Sequence, residues 1–411
     1  MKNVNSSVFV NNETNVYIVD EPMGRGKTSA AINFINETEG RFLVITPYLS
    51  EVRKYKTFCK GKNFTEPIDL HGSKLRSLKQ LLRKGENIVS THALFQRFDE
   101  EVITLCKIMD YTLIMDEVAQ VVEQFDLSKY DEENILRNYV EVDPYTQLLK
   151  WKEEFKFYEG KFTEVKNLCD LDSLAVYNEN AILWLFPVRA FTAFREVYIL
   201  TYLFEAQIQR YYYDYHNIPY SYLHVSGNSL DTYQFTEEVQ PRQYDYAKLI
   251  HILEHDRMNE IGSRPFSLSH AWYDRAKNTT LIKQLKNNTE NFFRNIAKSK
   301  SSENMWTTFK AYRGQVVGKG YTKGFLELNA RATNEYRERT CIAYTVNVFM
   351  HPIVKGFFVR HGVEIDEDQY ALSEMLQFVW RSAIRDGKEI TLYIPSARMR
   401  GLLKDWIAAQ K

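Results

Sequence analysis

VYIVDEPMGRGKTSAA, residues Val16 to Ala31, is the stretch whose reading decides the fold. Val16 to Val19 are apolar and β-prone, which predicts a short buried strand. A polar loop, Asp20 to Thr28, follows and runs into the helix-forming Ser29–Ile35. Strand, glycine loop, Lys-Thr and helix in that order are what a phosphate-binding loop needs. Glycines let backbone N–H groups turn inward around an anion, and the helix N-terminus adds a favourable dipole. Lys27 would then reach the β- and γ-phosphates, and the Thr28 hydroxyl would ligate Mg2+. Glu21 stands where the usual loop has its first glycine. The competing reading is a glycine turn that happens to precede Lys-Thr.

The second anchor is Tyr111–Glu117, YTLIMDE, a hydrophobic strand ending in two adjacent carboxylates. Downstream of a phosphate loop, this pattern makes Asp116 a metal-holding residue. It makes Glu117 the group that polarises an attacking water. Other strand ends carry candidate contacts. Phe42–Ile45 leads to Thr46-Pro47, and Asn87–Val89 leads to Ser90-Thr91-His92. Either could be a ligand loop at the end of an α/β strand or a plain helix cap. Between them lie two basic runs, Glu51–Lys62 and His71–Lys84.

The chain has 411 residues, enough for two domains with separate cores. Lys plus Arg and Asp plus Glu number 53 each, so no global charge indicates a DNA-coating protein or a membrane-surface protein. A motor needing only a local basic groove stays open. Cys59, Cys106, Cys169 and Cys341 are widely spaced, which predicts reduced, buried thiols rather than a zinc site. No run is long enough to cross a bilayer, and the N-terminus lacks a signal-peptide core, so a cytoplasmic protein is expected.

Pro22, Gly24, Gly26, Lys27 and Thr28 match the A-P-x-G-x-G-K-T loop of superfamily 2 helicases, and Asp116-Glu117-Val118-Ala119 resembles their DExx box. Stretches such as LNARATNEY, ALSEMLQFVWRSAIRDG and YIPSARMRGLLKDW resemble, more narrowly, helicase-like proteins encoded by bacteriophages. The resemblance implies an α/β fold of two RecA-like domains with parallel sheets, residues 1–235 and 236–411. It implies ATP bound by Pro22, Met23, Gly24, Arg25, Gly26, Lys27 and Thr28, Mg2+ on Thr28 and Asp116, and Glu117 as catalytic base. Thr46, Pro47, Thr91 and His92 would hold a nucleic-acid backbone, and Thr201, after the strand Glu196–Leu200, would couple the two sites.

Gln377, Arg381 and Arg385 are spaced i, i+4 and i+8, so in a continuous helix they share nearly one face. This resembles the family's Q-x-x-G-R-x-x-R motif, with Trp380 for the glycine and the second arginine one place late. Either arginine could be the finger on the γ-phosphate. Residues of about 120–181 are rich in Glu, Lys, Tyr and Leu with helical spacing, which predicts a mostly helical insertion and a possible site for a replication or recombination partner. Tyr211-Tyr212-Tyr213 could stack on bases or pack in the core. His216 to Arg242 reads as the connection between the domains, Pro265–Ser269 and Phe325–Leu328 as strands, and Asn329–Asn334 as a polar ligand loop.

The expected activity is ATP hydrolysis that drives movement along, or unwinding of, single-stranded or tailed duplex DNA, with RNA also open. The phage resemblance suggests replication or recombination in the host cytoplasm. The alternative is an ATP-dependent switch that binds nucleic acid or protein without unwinding.

Overall fold

The computed structural model describes residues 14–47, 49–178, 181–240, 244–277, 279–328 and 335–410. It divides into two compact units. One comprises Met1–Val239 and His351–Ile365, the other Gln240–Met350 and Asp366–Lys411.

A seven-stranded sheet forms the first unit. Its order is Gln234–Thr236, Ser221–Ser226, Asn15–Asp20, Glu196–Thr201, Tyr111–Asp116, Arg41–Thr46 and Ile88–Thr91. All neighbours are parallel except the Gln234–Thr236 edge strand. The central strands are apolar without alternation (FLVI, TLIM, VYIL) because helices cover both sheet faces. The register matters for function. Asp20 pairs with Thr201, Leu200 with Asp116, and Thr46 with Thr91. The polar residues that end these apolar runs therefore form one row along the C-terminal edge, where ligands bind in open α/β sheets.

Ser221–Ser226 and Gln234–Thr236 overturn the expectation of an irregular interdomain connection there. The sequence between His216 and Arg242 is polar because the hairpin forms an exposed sheet edge, not because it is a linker. Arg242 itself lies outside the described residues.

Between Asp116 and Glu196 the insertion has helical segments at Lys129–Asn134, Ile135–Tyr139 and Thr163–Asp170. It also has two antiparallel sheets that helical spacing does not announce. These are the hairpin Val140–Val142 with Leu149–Trp151, and the set Val122–Gln124, Ala181–Leu185 and Leu174–Tyr177. The insertion's aromatic residues pack on one another, Tyr139 stacking on Trp151 at 5.4 Å.

Helix Pro352–Arg360, though late in sequence, belongs to this unit. Phe357 meets Tyr215 at 5.1 Å and Phe358 meets Tyr211 at 6.1 Å between ring centres. A Cβ on Gly356 would run into the Tyr177 hydroxyl, so glycine permits this close seat. Tyr211, Tyr212 and Tyr213 are fully buried, with the Tyr212 hydroxyl donated to Phe186 O at 2.6 Å and the Tyr213 hydroxyl accepting from Gln209. The three rings are core, which overturns base stacking as their role.

His216 sits beside them, its ring 4.4 Å from that of Tyr212 and 4.6 Å from that of Tyr215. Its Nε2 is buried with no hydrogen-bond partner, and burial pushes its pKa down to about 3. The unfolded chain binds a proton on this imidazole below about pH 6.5, whereas the folded chain does not until near pH 3. Stability from this residue is therefore lost as pH falls through that window, by about 2 kcal/mol at pH 5. His216→Phe keeps an aromatic ring and removes the proton. Urea-unfolding midpoints at pH 7.5 and pH 5 should accordingly lie closer together in the variant than in the native chain.

The second unit holds a parallel four-stranded sheet in the order Ile250–Ile252, Ile390–Tyr393, Cys341–Tyr344 and Asn304–Thr307. Trp306, Phe292, Phe293, Tyr321 and Tyr393 fill one side. Helix Ala397–Ala409 starts at Ser396, whose side chain caps Met399 N. Pro265–Ser269 is a series of turns instead of a strand, with Ser269 capping helix His270–Ala276. Phe325 makes one bridge to Trp306 and the chain does not continue as a strand. The Asn329–Asn334 loop lies outside the described residues.

All four cysteines are buried and free. Among the described residues no helix is long and apolar enough to cross a membrane.

Candidate nucleotide site

The turn after Asn15–Asp20 needs left-handed backbone at Gly24 (φ 88°) and Gly26 (φ 83°), which glycine adopts without strain. Gly26 then opens helix Lys27–Glu37, accepting the first helical bond from Ala30 N at 2.8 Å. Lys27 Nζ donates to the carbonyls of Glu21 and of Pro22, the latter at 3.2 Å. Desolvation lowers the Lys27 pKa, while Glu117, Asp116, Asp20 and Glu21 pull it back up.

Thr28 Oγ1 donates to Asp116 Oδ2 at 3.1 Å, which joins the glycine loop to the carboxylate strand. Burial pushes the Asp116 carboxyl up to about 6, with Glu51 and Glu117 adding to the shift and Thr28 and Lys27 opposing it. A hydroxyl and a carboxylate this close are oxygen donors suited to a hard divalent cation such as Mg2+, and its charge would hold Asp116 ionised.

Glu117 has φ 80°, a left-handed conformation that is strained for a non-glycine residue. Glu117 N donates to Leu200 O at 2.9 Å, and Thr201 Oγ1 donates to Glu117 Oε1 at 2.8 Å. The neighbouring strand Glu196–Thr201 thus turns this carboxylate out of the strand line and aims it.

Several of the expected residues converge here. Lys27, Thr28, Asp116, Glu117 and Thr201 come together within the first unit. His92 Nε2 lies 3.3 Å from the Asp116 carbonyl, so the Thr91-His92 turn touches the carboxylate strand. Thr46 is fully buried with its hydroxyl turned to Ser90 O at 3.5 Å, so Pro47, half-buried, is the surface residue of that pair.

Gln377, Arg381 and Arg385 depart from the sequence reading. Helix Glu367–Val379 ends before Arg381, Trp380 caps it, and Arg385 lies on the separate 3-10 turn Ala383–Asp386. Trp380 is clamped between Tyr246 (5.2 Å) and Trp406 (5.3 Å), and Ser382 Oγ bonds back to Val379 O. Packing of this tryptophan stops the helix, so the three residues do not share one helical face. Arg381 is buried and Arg385 half-buried.

Sequence reasoning missed Asp20, Glu21 and the hairpin. The Asp20 carboxylate accepts from Leu203 N (2.7 Å) and Phe204 N (3.1 Å), holding the turn after Thr201 against the glycine loop. Glu21, buried at the place of the first glycine, turns its side chain away from the loop interior. Its Oε1 meets His224 Nδ1 at 3.1 Å and Val225 N at 3.4 Å, and its Oε2 lies 3.7 Å from Arg25 Nε. A departure from motif at Glu21 was the available signal. Its partner, more than two hundred residues away, was not legible.

Residues 244–407 match the family model described as the YonV C-terminal Rossmann-like domain, and residues 122–184 the one described as the YonV middle domain. The SPbeta prophage-derived protein YonV of Bacillus subtilis (strain 168) is 41% identical over 415 residues, covering 96% of this chain and 99% of that protein. Among solved structures, S. tokodaii Xpd4 is similar with a TM-score of 0.50 at 10% identity, covering 96% of this chain and 94% of that one. An XPD helicase gives a TM-score of 0.44, also at 10% identity, with coverage of 96% and 95%. The likeness to Xpd4 is one of fold: α/β, with Rossmann-like parallel sheets.

Proposed function

The chain belongs to the YonV family, and from that premise and the geometry of the glycine loop we propose that it is an ATP-driven nucleic-acid translocase or helicase. The observation that carries the reading is the Thr28–Asp116 contact of 3.1 Å with Glu117 held alongside by Thr201 at 2.8 Å. A phosphate loop, a cation-binding pair and an aimed carboxylate are the parts that phosphoryl transfer to water requires.

In this reading the backbone from Pro22 to Gly26 (Pro22, Met23, Gly24, Arg25, Gly26) wraps the phosphates. Lys27 leaves the carbonyls of Glu21 and Pro22 to meet the β- and γ-phosphates. Thr28 and Asp116 would hold Mg2+, whose charge would offset that developing on the phosphate oxygens. Glu117 orients the attacking water and accepts its proton. Thr201 keeps that carboxylate in place and links the site to the neighbouring strand end.

Pro47, Thr91 and His92 lie on the same sheet edge and are proposed to face the nucleic-acid backbone, single-stranded or tailed duplex DNA in the first instance, while the buried Thr46 braces that edge through Ser90. A prophage relative supports a role in phage DNA replication or recombination in the host cytoplasm. The insertion is then a candidate surface for a protein partner. The second reading, a switch without unwinding, is favoured by the balanced charge of 53 basic and 53 acidic residues.

The test is ATP hydrolysis with and without single-stranded DNA, followed by strand displacement on tailed duplexes. Stimulation with displacement supports the motor. Stimulation without movement on either substrate leaves the switch. Turnover indifferent to nucleic acid rejects the motor and a nucleic-acid switch, and leaves a switch that acts on a protein.

The arginine role is proposed on the resemblance alone. Arg381→Ala and Arg385→Ala are compared separately, and the variant lacking the finger should lose about 10^3-fold in hydrolysis with ATP binding kept. Equal, small effects in both would remove the finger from this segment.

A further inference from the structure

Asn15–Asp20 divides the sheet of the first unit in two. Glu196–Thr201 and the carboxylate strand stand on one side, and the hairpin of Ser221–Ser226 and Gln234–Thr236 stands on the other. The turn of this hairpin folds back on the helix that follows the glycine loop. Asn33 Nδ2, on the second turn of that helix, donates to Leu230 O and to Tyr233 O, both at 2.9 Å. The Tyr233 ring is laid against Gly26, where an added Cβ would stand 2.5 Å from ring carbons Cδ1 and Cε1. No motif predicts this tyrosine, yet it is the aromatic group set directly on the phosphate loop.

We propose that Tyr233 forms a wall of the nucleoside part of the site and stacks on the base of the bound nucleoside triphosphate, whichever base that is. The proposal rests on the reading of Gly24–Thr28 as a triphosphate site. The reacting end of the nucleotide is set by Thr28, Asp116 and Glu117, all on one flank of the loop. A triphosphate running from there along the loop backbone would carry its nucleoside to the opposite flank, where the sheet order puts the Tyr233 hairpin.

The ring face is the part of the hairpin laid on the loop, and at the tip Asn228, Ser229 and Thr232 are engaged with one another. Thr232 Oγ1 accepts from Asn228 N at 3.2 Å and from Ser229 N at 3.0 Å, and it lies 2.9 Å from Ser229 Oγ. Asn33 is committed to the two carbonyls. Every base has a π-face, so stacking without edge contacts discriminates little. Stacking on the Tyr233 ring is accordingly open to ATP and GTP alike.

The test measures binding of ATP, GTP and inorganic tripolyphosphate, each with Mg2+, to the full chain by titration calorimetry. Tyr233→Ala should weaken ATP and GTP roughly ten-fold and leave tripolyphosphate, which has no base, unchanged. Tyr233→Phe should bind all three as the native chain does. If Tyr233→Ala weakens tripolyphosphate as much as ATP, the ring merely braces the loop and the proposal is wrong. No change for any of the three overturns it equally. Failure of the underlying site looks different: native chain and Lys27→Ala would then bind tripolyphosphate equally poorly.

Discussion

Lys27→Ala is expected to lower ATP hydrolysis by about 10^3-fold, the size of loss seen when a buried donor to developing phosphate charge is removed. Burial lowers the Lys27 pKa, and four carboxylates, Glu117, Asp116, Asp20 and Glu21, oppose that shift. The hydrogen bonds of Lys27 go to loop carbonyls and not to a carboxylate, so they can be exchanged for phosphate oxygens without breaking an ion pair. Removing it takes away the cation while leaving the glycine turn, which Gly26 and Ala30 close through the backbone. Circular dichroism should therefore match the native chain, and single-turnover hydrolysis should show the loss. Native-like hydrolysis by this variant would mean that the loop does not hold the reacting phosphates.

Glu117→Gln is expected to leave ATP binding within about two-fold and to lower kcat by about 10^3-fold, within the usual contribution of a positioned general base. The amide has the same shape, and its oxygen can still accept from Thr201 Oγ1 and Val118 N, so the strained turn at φ 80° persists. What it cannot do is take a proton from water. A variant that binds ATP and DNA but does not turn over separates chemistry from binding, which also makes it a useful trap for the bound state. Full turnover by Glu117→Gln would transfer the base role elsewhere.

How far the sequence could be read follows from the range of the forces concerned. Gly24, Gly26 and Lys27-Thr28 are legible because backbone turning and helix initiation are local, and Asp116-Glu117 because an apolar run ending in carboxylates marks the end of a buried strand. The Gln377–Arg385 segment was misread for the opposite reason. Its spacing is helical, but Trp380 finds Tyr246 and Trp406, and packing against those distant rings ends the helix. Tyr211 to Tyr213 belong to the same class, because composition cannot tell a stacking surface from a core before the neighbouring elements are in place.

By itself the sequence determined the nature of the glycine loop, the carboxylate pair and the alternating strands and helices that make an α/β chain. Only the tertiary structure decided that Thr201 aims Glu117, that Asp20 pins the Leu203 turn, that Glu21 faces His224, and that Tyr233 covers Gly26. Each of these pairs joins residues about eighty to more than two hundred positions apart. Local propensity carries no record of such pairs, and sheet register brings them within a few ångströms.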